Sequence, residues 1–174
     1  MERNEVAVPA DDIPLAVITA REPVTGNPWI TERWRVLGVV AGEAVRGPAR
    51  ARTVLRDGPE GPRFRWTGFA LRLRKSEADS YYYNLIGTNP SIYVFAHFDE
   101  SGEPIPTAVG IDYIEAMAHH EAGNEAFAVP MPPEVYRRVE RFVLEHYEPE
   151  EPRMQRKHDD APRAGRARRH DPED

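Results

Sequence analysis

The chain has 174 residues, 40% apolar and 30% charged, no cysteine and a net charge of -6. That length suits one domain around one core. The missing thiols exclude disulfides, thiolate zinc sites and cysteine nucleophiles. No apolar run approaches the roughly 18 residues of a membrane span, and the acidic total argues against general nucleic-acid binding.

The opening "MERNEVAVPADD" is acidic and has no apolar stretch of the kind a signal peptide needs. A cytoplasmic location is the simplest expectation, with residues 1–12 as a flexible lead-in. "IPLAVITA" (13–20) reads as the first strand, and "REPVTGNPW" as a turn rich in Pro, Gly and Asn. "ITERWRVLGVVAGEAV" (30–45) reads as a long strand with a bend or bulge at Gly38. "RARTVLRD" (50–57) alternates and ends at the strong turn "DGPEGP".

The next strand, 63–75, changes parity. Phe64 and Trp66 are even-numbered, whereas Phe69, Leu71 and Leu73 are odd-numbered. A two-residue side-chain period keeps both sets on one face only with an extra residue, which predicts a β-bulge at Thr67–Gly68.

"YYYNLIG" (81–87) reads as a further strand, with Tyr81 and Tyr83 on one face and Tyr82 on the other. "SIYVFAHFD" (91–99) is apolar on both faces and reads as a central strand. "ESGEPIP" reads as a loop. Asp112 is placed to cap a helix over "YIEAMAHHEA", with Glu115 as its capping-box partner and Gly123 as the stop. "EAFAV" reads as a short edge strand.

"MPPEVYRRVERFVLEHY" opens on two prolines and places Val135, Val139, Phe142, Val143 and His146 on one helical face. These elements predict a mainly β, α+β domain over 13–147. About seven antiparallel strands would curl into a small, partly open barrel closed by the C-terminal helix. A pleckstrin-homology-like arrangement has the same inventory. Residues 148–174 hold eight acids, seven bases, four prolines and no aromatic residue, the composition of a disordered charged tail.

Charge divides the chain. Eleven Arg and Lys between positions 33 and 75 face only Glu43, Asp57 and Glu60; from 76 to 136 there is no Arg or Lys and there are ten acids. If the bulge forms, Arg63, Arg65, Arg72 and Arg74 share the outward face of their strand, Arg35 and Arg52 join from neighbouring strands, and Arg33, Arg50 and Arg56 could join them. Guanidinium groups so arrayed suit carboxylates or phosphates through bidentate hydrogen bonds. The plainer account is a solvated face partly paired with acids from the second half.

No other chemistry stands out. There is no Gly-x-Ser-x-Gly, no glycine-rich phosphate loop and no His-Glu-x-x-His. His119 and His120 are adjacent, so on a helix they point about 100° apart and suit a helix C-terminus better than a metal. The three tyrosines do not form one stacking platform for bases.

Three segments, "IPLAVITAREPVTGNPWITERWRVLGVV", "LRLRKSEADSYYYNLIGTNPSIYVF" and "VPMPPEVYRRVERFVLEHY", together resemble a family of bacterial proteins of unknown function. Its members are often encoded beside formate dehydrogenase genes, and some carry the label molybdopterin-guanine dinucleotide biosynthesis protein. The resemblance implies an accessory or assembly role for a molybdenum-dependent dehydrogenase and brings no catalytic residue. The biosynthesis label conflicts with the absent phosphate loop.

The leading expectation is therefore a non-catalytic protein that binds an acidic partner, a dehydrogenase subunit or its maturation factor, or an anionic cofactor. One alternative is an enzyme or carrier for a molybdopterin nucleotide, with Trp34 or Trp66 stacking on the pterin. The other is nucleic-acid binding through the arginine face and the tail segment "RAGRARRH".

Overall fold

The computed structural model describes residues 11–150. The expected flexible lead-in, apart from residues 11 and 12, and the charged tail beyond position 150 lie outside them.

Seven strands and three α-helices follow one another among these residues: β1 (Ile13–Pro23), β2 (Glu32–Ala41), β3 (Arg52–Arg56), β4 (Arg63–Leu71), α1 (Ala78–Ile86), β5 (Ser91–Phe98), β6 (Pro104–Gly110), α2 (Tyr113–Glu121), β7 (Glu125–Pro130) and α3 (Pro133–His146). They build a mainly β, α+β fold. The strands form two antiparallel sheets, of order β2-β1-β4-β3 and β6-β5-β7. The expected single curled sheet, a partly open barrel, is therefore corrected: the seven strands are split between two sheets. Sequence patterning sets which face of a strand is apolar, but it leaves open which strands pair.

The bulge in β4 is present. Leu15 pairs with Phe69 and Val17 with Trp66, so Thr67 and Gly68 together oppose one residue, Ala16. The extra residue turns Phe64, Trp66, Phe69 and Leu71 all inward, where all four are buried. Gly68 takes φ +84°, and a Cβ there would lie 2.4 Å from the Cα of Ala49. Thr67 fastens the β2–β3 connection over this point, donating from its hydroxyl to Pro48 C=O at 2.9 Å and from its N–H to Ala51 C=O at 3.0 Å. A second bulge falls beside Gly38, where Ile18 pairs with Gly38 and Thr19 with Val36.

Two assignments from the sequence are reversed. "YYYNLI" is helix α1, and the supposed loop "PIP" begins strand β6. In α1 the buried residues are Ala78, Tyr81 and Leu85, a helical spacing that overrides the strand preference of consecutive tyrosines. Tyr81 points inward, Tyr82 stacks on Tyr147 at 4.5 Å, and Tyr83 is exposed, so Tyr81 and Tyr83 do not share a face. Pro104 and Pro106 are tolerated in β6 because it is an edge strand paired only with β5.

The strand that includes "LRLR" also ends earlier than expected, at Leu71, and β2 ends at Ala41. β5 is the central strand of its sheet. Its even-numbered face (Ile92, Val94) enters the core, and Phe95 on the other face stacks on His119 of α2 at 3.9 Å.

The inner faces of both sheets, α1 and α3 enclose one apolar core. α3 contributes Val135, Val139 and Val143, each worth about 1.5–3 kcal/mol when fully buried. The indole N–H of Trp66 donates to the Thr19 hydroxyl at 3.0 Å, which satisfies both buried groups. Asp112 caps α2, accepting from Ile114 N–H at 2.9 Å and from the Ser80 hydroxyl at 2.7 Å. Gly123 ends that helix region with φ +84°. Glu115 makes no capping-box hydrogen bond to Asp112; its carboxylate reaches over Gly110 instead.

Candidate binding face

Strand register fixes which arginines share a face. Arg35 pairs with Ala20, Ala20 with Arg63, and Arg63 with Arg56. Directly paired residues project to the same side, so this row crosses the four-stranded sheet on the side away from the core. Strands lie about 4.8 Å apart, which places the backbones of Arg35 and Arg63 about 10 Å from each other across the small, buried Ala20. Arg65, two residues along β4, belongs to the same face, and so does Arg33 through its pairing with Glu22.

Two carboxylates serve these five guanidinium groups. Glu22 lies 3.3 Å from Arg33 and 3.4 Å from Arg35, and Glu60 lies 3.4 Å from Arg63. Arg56 and Arg65 have no carboxylate partner among the described residues. The Nε of Arg65 is covered from solvent and donates to nothing, an uncompensated donor within the face. Five positive charges against two negative leave this surface strongly cationic.

The other sequence candidates go elsewhere. Arg52 pairs with Trp66 and therefore projects to the core side. Its guanidinium lies 3.8 Å over the ring of Phe64 and its Nε is 2.7 Å from Glu103 Oε1. Arg72 and Arg74 lie beyond the end of β4, on the connection to α1. Arg72 pairs with Asp12 at 3.5 Å and Arg74 with Glu77 at 3.8 Å. At about 3.3 Å per residue, seven residues separate Arg72 from Arg65 by about 20 Å. The structure thus gathers Arg35, Arg63 and Arg65 with Arg33 and Arg56, and leaves Arg52, Arg72 and Arg74 apart from them.

Arg72 and Arg74 border a small cavity of about 90 Å³ with Glu77, Tyr81, Asp112 and Glu115. The Tyr81 hydroxyl donates to Glu77 at 3.0 Å and accepts from Arg74 N–H at 3.1 Å. Burial pushes this phenol far above its ordinary value, so it stays protonated. Burial also pushes the Glu115 carboxyl up, with Glu77 and Asp112 adding to the effect.

One concavity was not anticipated from the sequence. A groove of about 760 Å³ lies between the 88–91 turn, β7 and the start of α3, lined by Pro90, Pro130, Met131, Pro133, Tyr136 and Arg137 among others. The pairing of Ser91 with Pro130 brings "TNPS" and "VPMPPEVYR" together. The signal in the sequence was the proline content of both segments, which read only as a strand break and a helix start.

Trp66 is buried, so its ring offers no open face for a pterin; Trp34 is half-buried, tilted against Phe64 with ring centroids 5.7 Å apart, and the Arg21 guanidinium lies 5.7 Å from its ring. No cluster of three His, Asp or Glu suited to a metal ion occurs among the described residues. None of their helices is long and apolar enough to cross a membrane.

Residues 14–157 match the model of a family described as "Protein of unknown function (DUF3305)". No curated protein and no solved structure matches the chain.

Proposed function

The chain belongs to the DUF3305 family, and from that premise we propose that it is a non-catalytic accessory protein of a molybdenum-dependent formate dehydrogenase. It docks an acidic surface of the enzyme, or of its maturation factor, through the outer face of the four-stranded sheet. The observation that carries this reading is the five-arginine face with only Glu22 and Glu60 to balance it. Planar guanidinium forks on a rigid sheet are arranged for carboxylates, and such contacts set both orientation and encounter rate. The link to formate oxidation rests on the resemblance of the three quoted segments to chains encoded beside formate dehydrogenase genes.

The test is co-purification from the native host at low salt. The tagged chain retains formate dehydrogenase, and the double variant Arg63→Glu/Arg65→Glu retains at least tenfold less. Removing the gene lowers formate dehydrogenase activity. A deletion strain with full activity at every molybdenum supply overturns the proposal.

A further inference from the structure

Trp29, in the turn between β1 and β2, has 91% of its surface exposed, and Ile30 beside it has 50%. The backbone of the turn that holds them is tied down by hydrogen bonds. The side-chain carbonyl of Asn27 accepts from Trp29 N–H at 2.9 Å and from Ile30 N–H at 3.3 Å. Val24 N–H donates to Thr31 C=O at 2.9 Å across its base. Gly26 takes φ +81°, and Pro28 fixes the backbone just before the indole.

A tryptophan offers one of the largest apolar surfaces a side chain can bury. A hydrogen-bonded loop fixes the backbone that carries it, which lowers the entropic cost of docking.

The loop stands at the same end of the sheet as the basic face. Arg33 follows Trp29 by four residues, a reach of at most about 14 Å. The turn before Arg63 packs against the base of the same hairpin, where Arg21 N–H donates to Pro62 C=O at 3.1 Å. Tryptophan and arginine are the residue types that dominate interface hot spots.

We propose that Trp29 and Ile30 are the apolar anchor of a protein–protein interface whose charged part is the arginine face. The partner is a protein surface with an apolar pocket bordered by carboxylates. This rests on the reading of the arginine face as a docking surface and not on the identity of the enzyme. A protein fits better than an anionic bilayer, because the chain carries a net charge of -6 and the 61 consecutive residues 76–136 contain ten acids and no Arg or Lys.

The test places the photocrosslinker p-benzoylphenylalanine at position 29, at position 53 on the arginine face, and at position 144, an exposed site on α3. Each full-length chain is produced in the native host with and without Arg63→Glu/Arg65→Glu. The expected result is one protein captured from positions 29 and 53 and not from 144, with capture reduced at least tenfold by the charge reversal. If that protein is a formate dehydrogenase subunit or its maturation factor, both proposals stand; if it is another protein, the anchor stands and the dehydrogenase reading fails. Capture from 53 alone leaves the arginine face as a docking surface and overturns the anchor. Capture only of lipid or nucleic acid, capture from 29 that ignores the charge reversal, or no capture at either position overturns it as well.

Discussion

Arg52 Nε lies 2.7 Å from Oε1 of Glu103, and this contact ties the edge strand of one sheet to the β5–β6 turn of the other. Glu103 is buried, and Arg52 covers it while stacking on Phe64. The contact is close but off the line of a hydrogen bond, since Oε1 accepts none. Its worth is mainly that a buried carboxylate is not left alone. Arg52→Met should destabilise the fold by about 1–3 kcal/mol in urea unfolding, reduced from a fully buried pair because the arginine is partly exposed. Adding Glu103→Gln should recover at least half of that loss. A double variant as unstable as Arg52→Met alone would show that ring packing, not charge, is what Arg52 provides.

The β4 bulge depends on one glycine. Gly68→Ala must place a Cβ 2.4 Å from the Cα of Ala49 and hold φ near +84°. Backbone cannot yield as a side-chain tip can, so the expected loss is about 2–4 kcal/mol. Gly38→Ala is the control: nothing lies within 4 Å of its Cβ and its φ is ordinary. That variant should be neutral or stabilised by about 0.5 kcal/mol. Chemical denaturation of both variants decides the point, and equal effects would refute the assigned role of Gly68.

Asn84 is a third structural control point. Its amide donates to Ser91 C=O and Ile111 C=O, and its carbonyl accepts from Ser91 N–H, all at 2.9 Å. One side chain thereby joins α1 to the start of β5 and the end of β6. Asn84→Leu removes three bonds and leaves the backbone partners unpaired, at a cost of about 2–4 kcal/mol. Amide exchange should quicken first at Ser91 if the assignment is right.

These cases show what the sequence could reveal. The bulge was legible because Phe64 and Trp66 differ in parity from Phe69 and Leu71, a constraint internal to one strand. The Asp112 cap and the valine face of α3 were legible for the same reason, being local. Helix α1 was hidden because three tyrosines favour a strand in isolation, and only the packing of Tyr81 and Leu85 decides otherwise. β6 was hidden by two prolines that an edge position makes harmless. Half of the arginine candidates were placed together, because Arg63 and Arg65 share a strand and Arg35 lies opposite through Ala20. Arg52 was misdirected, since Val54 and Leu55 give its strand apolar residues of both parities. Pairing between strands distant in sequence, which also assembled the proline-lined groove through Ser91 and Pro130, leaves no local trace.

Glu115 gives a prediction in pH. Its side chain is exposed overall, yet the carboxylate lies against Gly110, and burial raises its pKa above the ordinary 4.5, with Glu77 and Asp112 contributing further. The folded protein therefore holds this proton more tightly than the unfolded chain. Ionisation costs stability in full above the folded value, and that cost disappears as the pH falls below 4.5. Glu115→Gln mimics the protonated state. It should raise Tm at neutral pH by about 1–2 °C, the scale of a favourable surface substitution. The gain should fade as the pH is lowered toward 4, because the wild-type carboxyl is then protonated as well. Thermal unfolding of both proteins across this range tests the sign, and a gain that persists at low pH would point to packing rather than charge.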